Sequence, residues 1–146
     1  MNRIVSFRGK LTSGEQDTIV LHTNDGSTGY RIIKFQLMPS VPGSVEHELI
    51  SKIYKVEQTT IDGTINFSDN RLLAASIMMS YAPTASITST TTIFDNEIFN
   101  QDIYITAIDA EPTIPLSDIN YYIELEQMDL NLDESTVATL KDIRNQ

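Results

Sequence analysis

The longest stretch of this sequence in which apolar and polar residues alternate is Ile119-Asn-Tyr-Tyr-Ile-Glu-Leu-Glu-Gln-Met-Asp-Leu-Asn-Leu132. One side of an extended chain would carry the apolar residues Ile119, Tyr121, Ile123 and Leu125. Alternation with a period of two predicts a strand with one buried face and one face in water. After Gln127 the apolar residues change phase, and a shift of one residue exchanges the two faces of a strand. We therefore expect a long strand with a bulge or corner near Gln127.

Turn-forming residues divide the rest of the chain into further stretches with strand character, at 3–11, 17–23, 30–38, 72–82, 86–93 and 102–109. Residues 72–82 are almost continuously apolar, so they suit either a buried strand or a short buried helix. The threonine-rich residues 86–93 favour a solvent-exposed edge strand or a loop. Apolar side chains on both faces of 102–109 predict a central strand.

Two stretches before residue 72 are less simple. Residues 45–56 fit a helix capped by Ser44, but their second half also has strand character, which we favour. Asp62-Gly63 lies between the β-prone residues 59–61 and 64–67. This dipeptide between two such runs predicts a two-residue hairpin.

The last residues of the chain have helical spacing. Asp133 is the expected N-cap, and Val137, Leu140 and Ile143 are expected to line the buried face of a short closing helix. Lys141 then lies near the C-terminal end, where a positive charge interacts favourably with the helix dipole.

About eight short strands and one helix predict an all-β fold, an antiparallel β-sandwich of the jelly-roll type with a short C-terminal helix. The 146 residues suit a single domain, 1–146, with a sizeable core. No stretch approaches the ~20 apolar residues of a transmembrane helix, and residues 1–10 lack the apolar core of a signal peptide. The sequence has no cysteine, which excludes disulfides and cysteine-ligated metals and fits a reducing compartment.

The net charge of −10 is unevenly placed along the chain. Residues 1–71 hold eight basic and eight acidic residues, whereas residues 72–140 hold eleven acidic residues and no basic one. An acidic half with no basic residue cannot supply the phosphate contacts that dominate nucleic-acid affinity, and an anionic membrane surface is disfavoured for the same reason. We therefore expect neither nucleic acid nor a membrane as a partner. The negative charge of residues 72–140 favours solubility or complements the charge of a basic partner.

No residue pattern in the sequence clearly indicates a catalytic site. The two histidines, His22 and His47, lie in unrelated contexts, and no metal-binding spacing of His or Cys is present. His22, at a strand end, is expected at the surface. A carboxylate pair or a Ser/His/Asp triad depends on a geometry that sequence does not give. We expect no enzymatic activity, no small-molecule substrate and no cofactor.

Calcium is the best chemical alternative, because clustered acidic residues can supply the oxygen ligands that Ca²⁺ needs. One candidate cluster joins Asp95, Asn96 and Glu97 with Asp102, and the other consists of Asp129, Asn131, Asp133 and Glu134. Neither cluster has the EF-hand spacing. Turn formation and helix capping explain the same residues, so no metal site is assigned.

Glycan binding would need an exposed aromatic platform. The sequence has no tryptophan, and the candidates for such a platform are Tyr30, Tyr81, Tyr104 and Tyr122. Packing in the core or on a sheet face explains tyrosines at these positions equally well.

Four segments of the chain carry a resemblance to known proteins. They are Arg31–Phe35, Phe94–Ile105, Tyr121–Glu126 and Ala138–Arg144. Together they resemble segments of small uncharacterised structural proteins of marine bacteriophages. The resemblance extends over most of the chain, contains no functional motif and transfers no catalytic residue. It implies a virion component that is assembled in the host cytoplasm, such as a capsid, capsid-decoration or tail-associated protein.

We therefore expect a structural protein that forms homo-oligomers and packs on other virion proteins, such as a major capsid protein. Outward-facing apolar residues of the strands are the candidate assembly contacts, namely Tyr104, Ile108 and Tyr122. The alternative function is that of a receptor- or glycan-binding β-sandwich module.

Overall fold

The computed structural model of the chain describes residues 2–42, 46–80, 88–111 and 118–144. Within these ranges the chain forms eight strands and one helix. In chain order they are β1 (Arg3–Thr12), β2 (Glu15–Ile19), β3 (Thr28–Pro39), β4 (His47–Tyr54), β5 (Leu72–Ser80), β6 (Thr88–Phe94), β7 (Ile103–Asp109), β8 (Asp118–Asp129) and α1 (Leu132–Arg144). No helix in the described ranges combines the length and apolar character that crossing a bilayer requires.

The strands form two antiparallel sheets that enclose one apolar core. The three-stranded sheet has the order β1-β8-β3, and the five-stranded sheet has the order β2-β7-β4-β5-β6. Both sheets contribute fully or almost fully buried side chains, among them Phe35, Ile123, Leu125, Leu49, Ile53 and Ile105. This confirms the predicted antiparallel β-sandwich with a C-terminal helix. The strand order alone does not establish jelly-roll connectivity, which stays a prediction.

β8 is the central strand of the three-stranded sheet. Its register with β1 is unbroken from Asp118 to Gln127, and its register with β3 extends to Asp129. The predicted bulge near Gln127 is therefore wrong. The irregularity lies in the neighbouring strand β3, where the register shifts between Ile32 and Lys34.

The change of apolar phase after Gln127 has another cause, which is the end of the strand. β8 ends at Asp129, so Leu130 no longer follows the alternation of the strand. Leu130 is buried, and its methyl groups pack against Gly29, where a Cβ would lie only 2.9 Å from them. The apolar residue that suggested a bulge instead anchors the connection from β8 to α1.

The two stretches of ambiguous character are both strands. β4 lies within 45–56 and β5 within 72–82, and the two strands pair with each other. β6 is an edge strand of the five-stranded sheet, and β7 lies between β2 and β4. These positions confirm the predicted edge strand and the predicted central strand.

The hairpin predicted around Asp62-Gly63 is wrong, because residues 55–71 form no strand. The Asp62 carboxylate accepts the backbone N–H of Thr64 at 3.0 Å, and the Lys52 ammonium donates to Asp62 at 3.3 Å and to the Thr64 carbonyl at 2.5 Å. Gly63 packs on Ile50 of β4. These contacts with β4 hold the segment against the outer face of the five-stranded sheet instead of letting it pair with itself.

The helix begins with a reciprocal cap that involves Asn131 instead of the expected Asp133. The Glu134 N–H donates to Asn131 Oδ1 at 2.8 Å, and the Asn131 N–H donates to Glu134 Oε1 at 3.1 Å. This is a capping box, in which each side chain satisfies a backbone donor that the first turn leaves free.

The helix also turns a different face to the core from the one predicted. Ser135, Ala138 and Asp142 are buried, whereas Val137 and Leu140 are exposed. The prediction of a buried face through Val137 and Leu140 is therefore wrong, and the side chain of Ile143 lies outside the described residues. The helix attaches to the sandwich through small and polar side chains.

Gly9 and Tyr121 form a contact that links the two sheets. They are paired across β1 and β8, and a Cβ on Gly9 would lie 2.6 Å from the Tyr121 hydroxyl. The missing side chain of Gly9 therefore leaves room for the ring. The hydroxyl donates to Asp17 of β2 at 3.0 Å, so β8 of one sheet is joined to β2 of the other.

We predict that Gly9→Ala lowers the free energy of unfolding by about 1–3 kcal/mol, because the new methyl group must displace the buried ring. Urea unfolding followed by circular dichroism measures this. Ser6→Ala is the matched control, because Ser6 is an exposed residue of the same strand, and we expect its unfolding midpoint to stay unchanged. Equal midpoints for Gly9→Ala and the wild type would contradict the role of this contact.

Candidate functional site

Asn100 is the centre of the junction between α1 and the sandwich. Its side chain is fully buried. The Asn100 amide Nδ2 donates to the Gly26 carbonyl at 3.0 Å, to Thr139 Oγ1 at 2.8 Å and to the Ser135 carbonyl at 3.3 Å. The Asn100 amide therefore joins three parts of the chain, namely the 24–29 loop, the segment before β7 and the helix.

Gly26 fits this junction for two reasons. It has a φ of +67°, and a Cβ at this position would lie 2.9 Å from Asn100 Nδ2. The left-handed conformation is costly for any residue with a side chain. The loop therefore needs glycine both for its backbone and for the close approach of the amide.

Asp142 is a buried carboxylate beneath the same helix. Its side chain is almost fully inaccessible, Oδ2 accepts the Asn100 N–H at 3.4 Å, and Oδ1 has no hydrogen-bond partner. Burial raises the pKa of the Asp142 carboxyl to about 6, although the Lys55 ammonium and backbone N–H groups act to lower it. The nearby Lys55 is also buried and holds both oxygens of Glu97 at 2.9 Å.

The outward side of α1 carries three large apolar residues among polar ones. Leu132, Val137 and Leu140 are 81%, 54% and 60% exposed, respectively. Because the buried side of the helix is polar, the usual amphipathic arrangement is reversed. Apolar side chains on a helix surface of this kind are typical of a contact with another protein.

Several residues of the two candidate calcium clusters are engaged in other interactions. Asp102 accepts the backbone N–H groups of Leu21 and His22 and lies 2.7 Å from the His22 ring. Asp95 accepts the N–H of Glu97 at 3.0 Å. The described ranges contain no group of three or more His, Cys, Asp or Glu side chains that could hold a metal ion. His22 is exposed, as predicted.

A row of three polar residues crosses the five-stranded sheet from β7 to β5. His47 Nδ1 lies 2.9 Å from Asp109 Oδ2, and Ser80 is the register partner of His47. These are the residue types of a catalytic triad. However, His47 Nε2 and Ser80 Oγ are both buried, and neither has a hydrogen-bond partner. The hydrogen bond between nucleophile and base that a triad requires is therefore not formed, and the hydroxyl is closed to solvent.

The three predicted assembly contacts do not form one patch. Tyr104 and Ile108 alternate with core residues of β7, so they lie on the outer face of the five-stranded sheet. Tyr122 lies on the outer face of the three-stranded sheet, on the opposite side of the sandwich. All three are half-buried.

The tyrosines considered as a glycan platform have separate environments. Tyr30 is buried and stacks on Phe99 with ring centroids 6.4 Å apart, so it packs in the core and offers no exposed platform. Tyr81 lies outside the described residues. The Lys34 ammonium lies 5.7 Å from the ring centroid of Tyr122.

A cavity of about 910 Å³ lies next to Tyr122. Arg8, Lys10, Gln36 and Asn120 contribute polar groups to its lining. The Tyr122 hydroxyl itself donates to the Glu124 carboxylate at 2.8 Å, so the ring has an acidic neighbour beside the basic groups of the cavity.

We predict that Asp142→Asn stabilises the protein above pH 6. The folded-state pKa of about 6 exceeds the ordinary value of 3.8, so the folded state binds more protons between these values and the stability of the wild type falls as pH rises through this window. Removing the charge should therefore raise the free energy of unfolding at pH 8 by about 1–3 kcal/mol and flatten its dependence between pH 4 and 6. Chemical unfolding at a series of pH values measures both effects.

Asp133→Asn, on the exposed side of the same helix, serves as the control and should leave the pH dependence unchanged. A loss of stability at pH 8 in Asp142→Asn would contradict the prediction. It would mean that attraction to Lys55 and the Asn100 N–H outweighs the cost of burying the charge.

Comparison with known proteins adds no further assignment to this geometry, since no family model matches the chain and no curated protein matches it.

Proposed function

We propose that the protein is a structural component of a bacteriophage virion, in the capsid, on its surface or in the tail. In this role it associates with itself and packs on other virion proteins, such as a major capsid protein. The observation that best supports the proposal is the exposed apolar side of α1. Leu132 and Leu140 gain nothing from exposure in a monomer, whereas burial between two copies removes apolar surface from water.

A second copy of the same chain suits this surface because the helix is complementary to itself. Its first turn carries Asp133 and Glu134, and Lys141 lies near its other end. In an antiparallel pair of α1 helices, related by a two-fold axis near Thr136, Leu132 of each copy faces Leu140 of the other. The antiparallel arrangement also places the acidic first turn of each helix near the end of the other helix that carries Lys141. Such an isologous contact uses one patch twice, as closed two-fold symmetry requires.

The contact is expected to be weak on its own. A helix of 13 residues offers less area than the ~800 Å² per partner of a standard stable interface. Weak contacts suffice in a shell, because many copies act together and the effective concentration is high. Outward strand residues such as Tyr104, Ile108 and Tyr122 stay candidates for additional contacts in the particle.

We predict that the double substitution Leu132→Ser and Leu140→Ser weakens self-association at least tenfold, because it removes most of the apolar seam. Sedimentation velocity over a range of protein concentrations measures the change. Val20→Ser is the matched control, because Val20 is 66% exposed and lies outside α1. A wild-type chain that stays monomeric at millimolar concentration would overturn self-association itself.

The cysteine-free sequence allows a direct test of the antiparallel arrangement. Thr136→Cys places a thiol close to the expected two-fold axis, so mild oxidation should yield a disulfide-linked dimer. Ser68→Cys, at an exposed turn, should give no such product under the same conditions. Self-association without preferential cross-linking at position 136 would reject the α1 interface but leave self-association standing.

The receptor- or glycan-binding module is the second candidate, and the cavity beside Tyr122 favours it. Its Arg8 and Lys10 side chains suit an acidic sugar better than a neutral one. A glycan array is expected to show binding of acidic sugars that Tyr122→Ser abolishes and Tyr104→Ser does not. Absence of reproducible binding to any sugar would remove this candidate.

A further inference from the structure

A groove runs beside α1 and consists of two adjoining cavities. The first, of about 750 Å³, lies between α1 and residues 95–98. The second, of about 480 Å³, continues towards residues 67–72. Asp95, Glu97 and Lys141 line both cavities, so we treat them as one surface and name it the α1 groove.

Apolar groups line the α1 groove at both ends. Ile98, Leu130 and Val137 contribute to the first cavity, and Phe67 and Leu72 contribute to the second. Phe67 is 65% exposed although it is a large aromatic side chain. A ligand that covers this surface must therefore bring apolar groups of its own.

The walls of the α1 groove are acidic. Its carboxylates are those of Asp69, Asp95, Glu97, Asp133 and Glu134, and its ammonium groups are those of Lys55 and Lys141. Two of the carboxylates already have a cationic partner, because Lys55 holds Glu97 and Arg71 holds Asp69.

Three carboxylates of the groove remain for a partner. Asp95 and Glu134 each use one oxygen in a hydrogen bond to a backbone N–H, and Asp133 lies exposed in the first helical turn. Against these three, Lys141 is the single lining cation without a carboxylate partner among the described residues. The remaining charge of the groove is therefore negative.

We propose that the α1 groove binds a cationic segment of a partner protein that carries apolar anchor residues. The anchors would cover Ile98 and Val137, and lysine or arginine side chains would meet the carboxylates of the walls. Charge complementarity selects this occupant, because acidic walls repel nucleic acid and anionic lipid, while a purely polar cation leaves the apolar groups in water. The proposal goes beyond self-association and concerns another side of the helix, since Leu132 and Leu140 line no part of the groove.

The probe for this site is a fluorescein-labelled peptide of alternating lysine and leucine, titrated with the full chain in a fluorescence anisotropy experiment. Two control peptides of equal length test its positive charge and its apolar character separately. One has glutamate in place of lysine, and the other has serine in place of leucine. We expect the lysine–leucine peptide to bind at least tenfold more tightly than either control. Its affinity should fall with added salt, because charge pairs at an exposed rim are screened.

Variants of the chain locate the binding. Asp95→Asn combined with Glu134→Gln should weaken peptide binding about tenfold, and Val137→Ser should weaken it severalfold. The matched control is Glu48→Gln combined with Glu57→Gln, which removes the same charge from exposed positions outside the groove. This control and the Leu132→Ser/Leu140→Ser variant should bind the peptide like the wild type.

The possible results separate the explanations. Equal weakening by the groove variant and the charge-matched control would mean that the peptide senses only net charge, which overturns the proposal. Equal binding of the serine peptide would overturn the apolar part of the site. Circular dichroism of each variant verifies the fold, and Val137→Ser, which alters an exposed side chain, tests the groove even where a charge variant loses stability.

Discussion

The pairing of β8 on both of its edges is the constraint on which the rest of the structure depends. The two ladders fix which side chains of β8 point inward, and Ile123 and Leu125 are completely buried as a result. The same register places Tyr121 opposite Gly9, from where its hydroxyl reaches the other sheet. Because β8 ends at Asp129 and Leu130 is buried immediately afterwards, the strand also fixes where α1 begins. A change in β8 register would therefore alter the core, the sheet–sheet contact and the helix together.

The parts of the fold that were predictable are those in which neighbouring residues determine the outcome. The alternation from Ile119 to Leu125 predicts a half-buried strand, and the structure has one. The failures occur where a distant residue decides. Asp62-Gly63 is a strong local hairpin signal, but Lys52, in a preceding strand, binds both Asp62 and the Thr64 carbonyl. Its buried position in β4 gives no sequence signal, since lysine is more often an exposed residue.

The junction under α1 could not be predicted for the same reason. Helical periodicity assigns Val137 and Leu140 to the core, because apolar residues usually bury themselves. The residue that reverses this orientation is Asn100, which lies between β6 and β7 and bonds to the helix backbone and to Thr139. An asparagine in a polar segment is common, and nothing nearby marks it as fully buried. The one usable signal was Asp142, a carboxylate opposite the apolar stripe, and its position suited solvent equally well.

Polar attachment of a helix has a consequence for what its other side can do. Buried hydrogen bonds contribute little net stability, but they are demanding in geometry, so they fix orientation more than they add energy. Asn100 and Asp142 thus hold α1 in one rotation, and that rotation keeps Leu132 and Leu140 in water. If the helix rotated to bury its leucines, the Asn100 amide would lose the Ser135 carbonyl and the Thr139 hydroxyl as acceptors and would keep only the Gly26 carbonyl. The cost of breaking these buried hydrogen bonds opposes that rearrangement, so the polar junction maintains the exposed apolar surface.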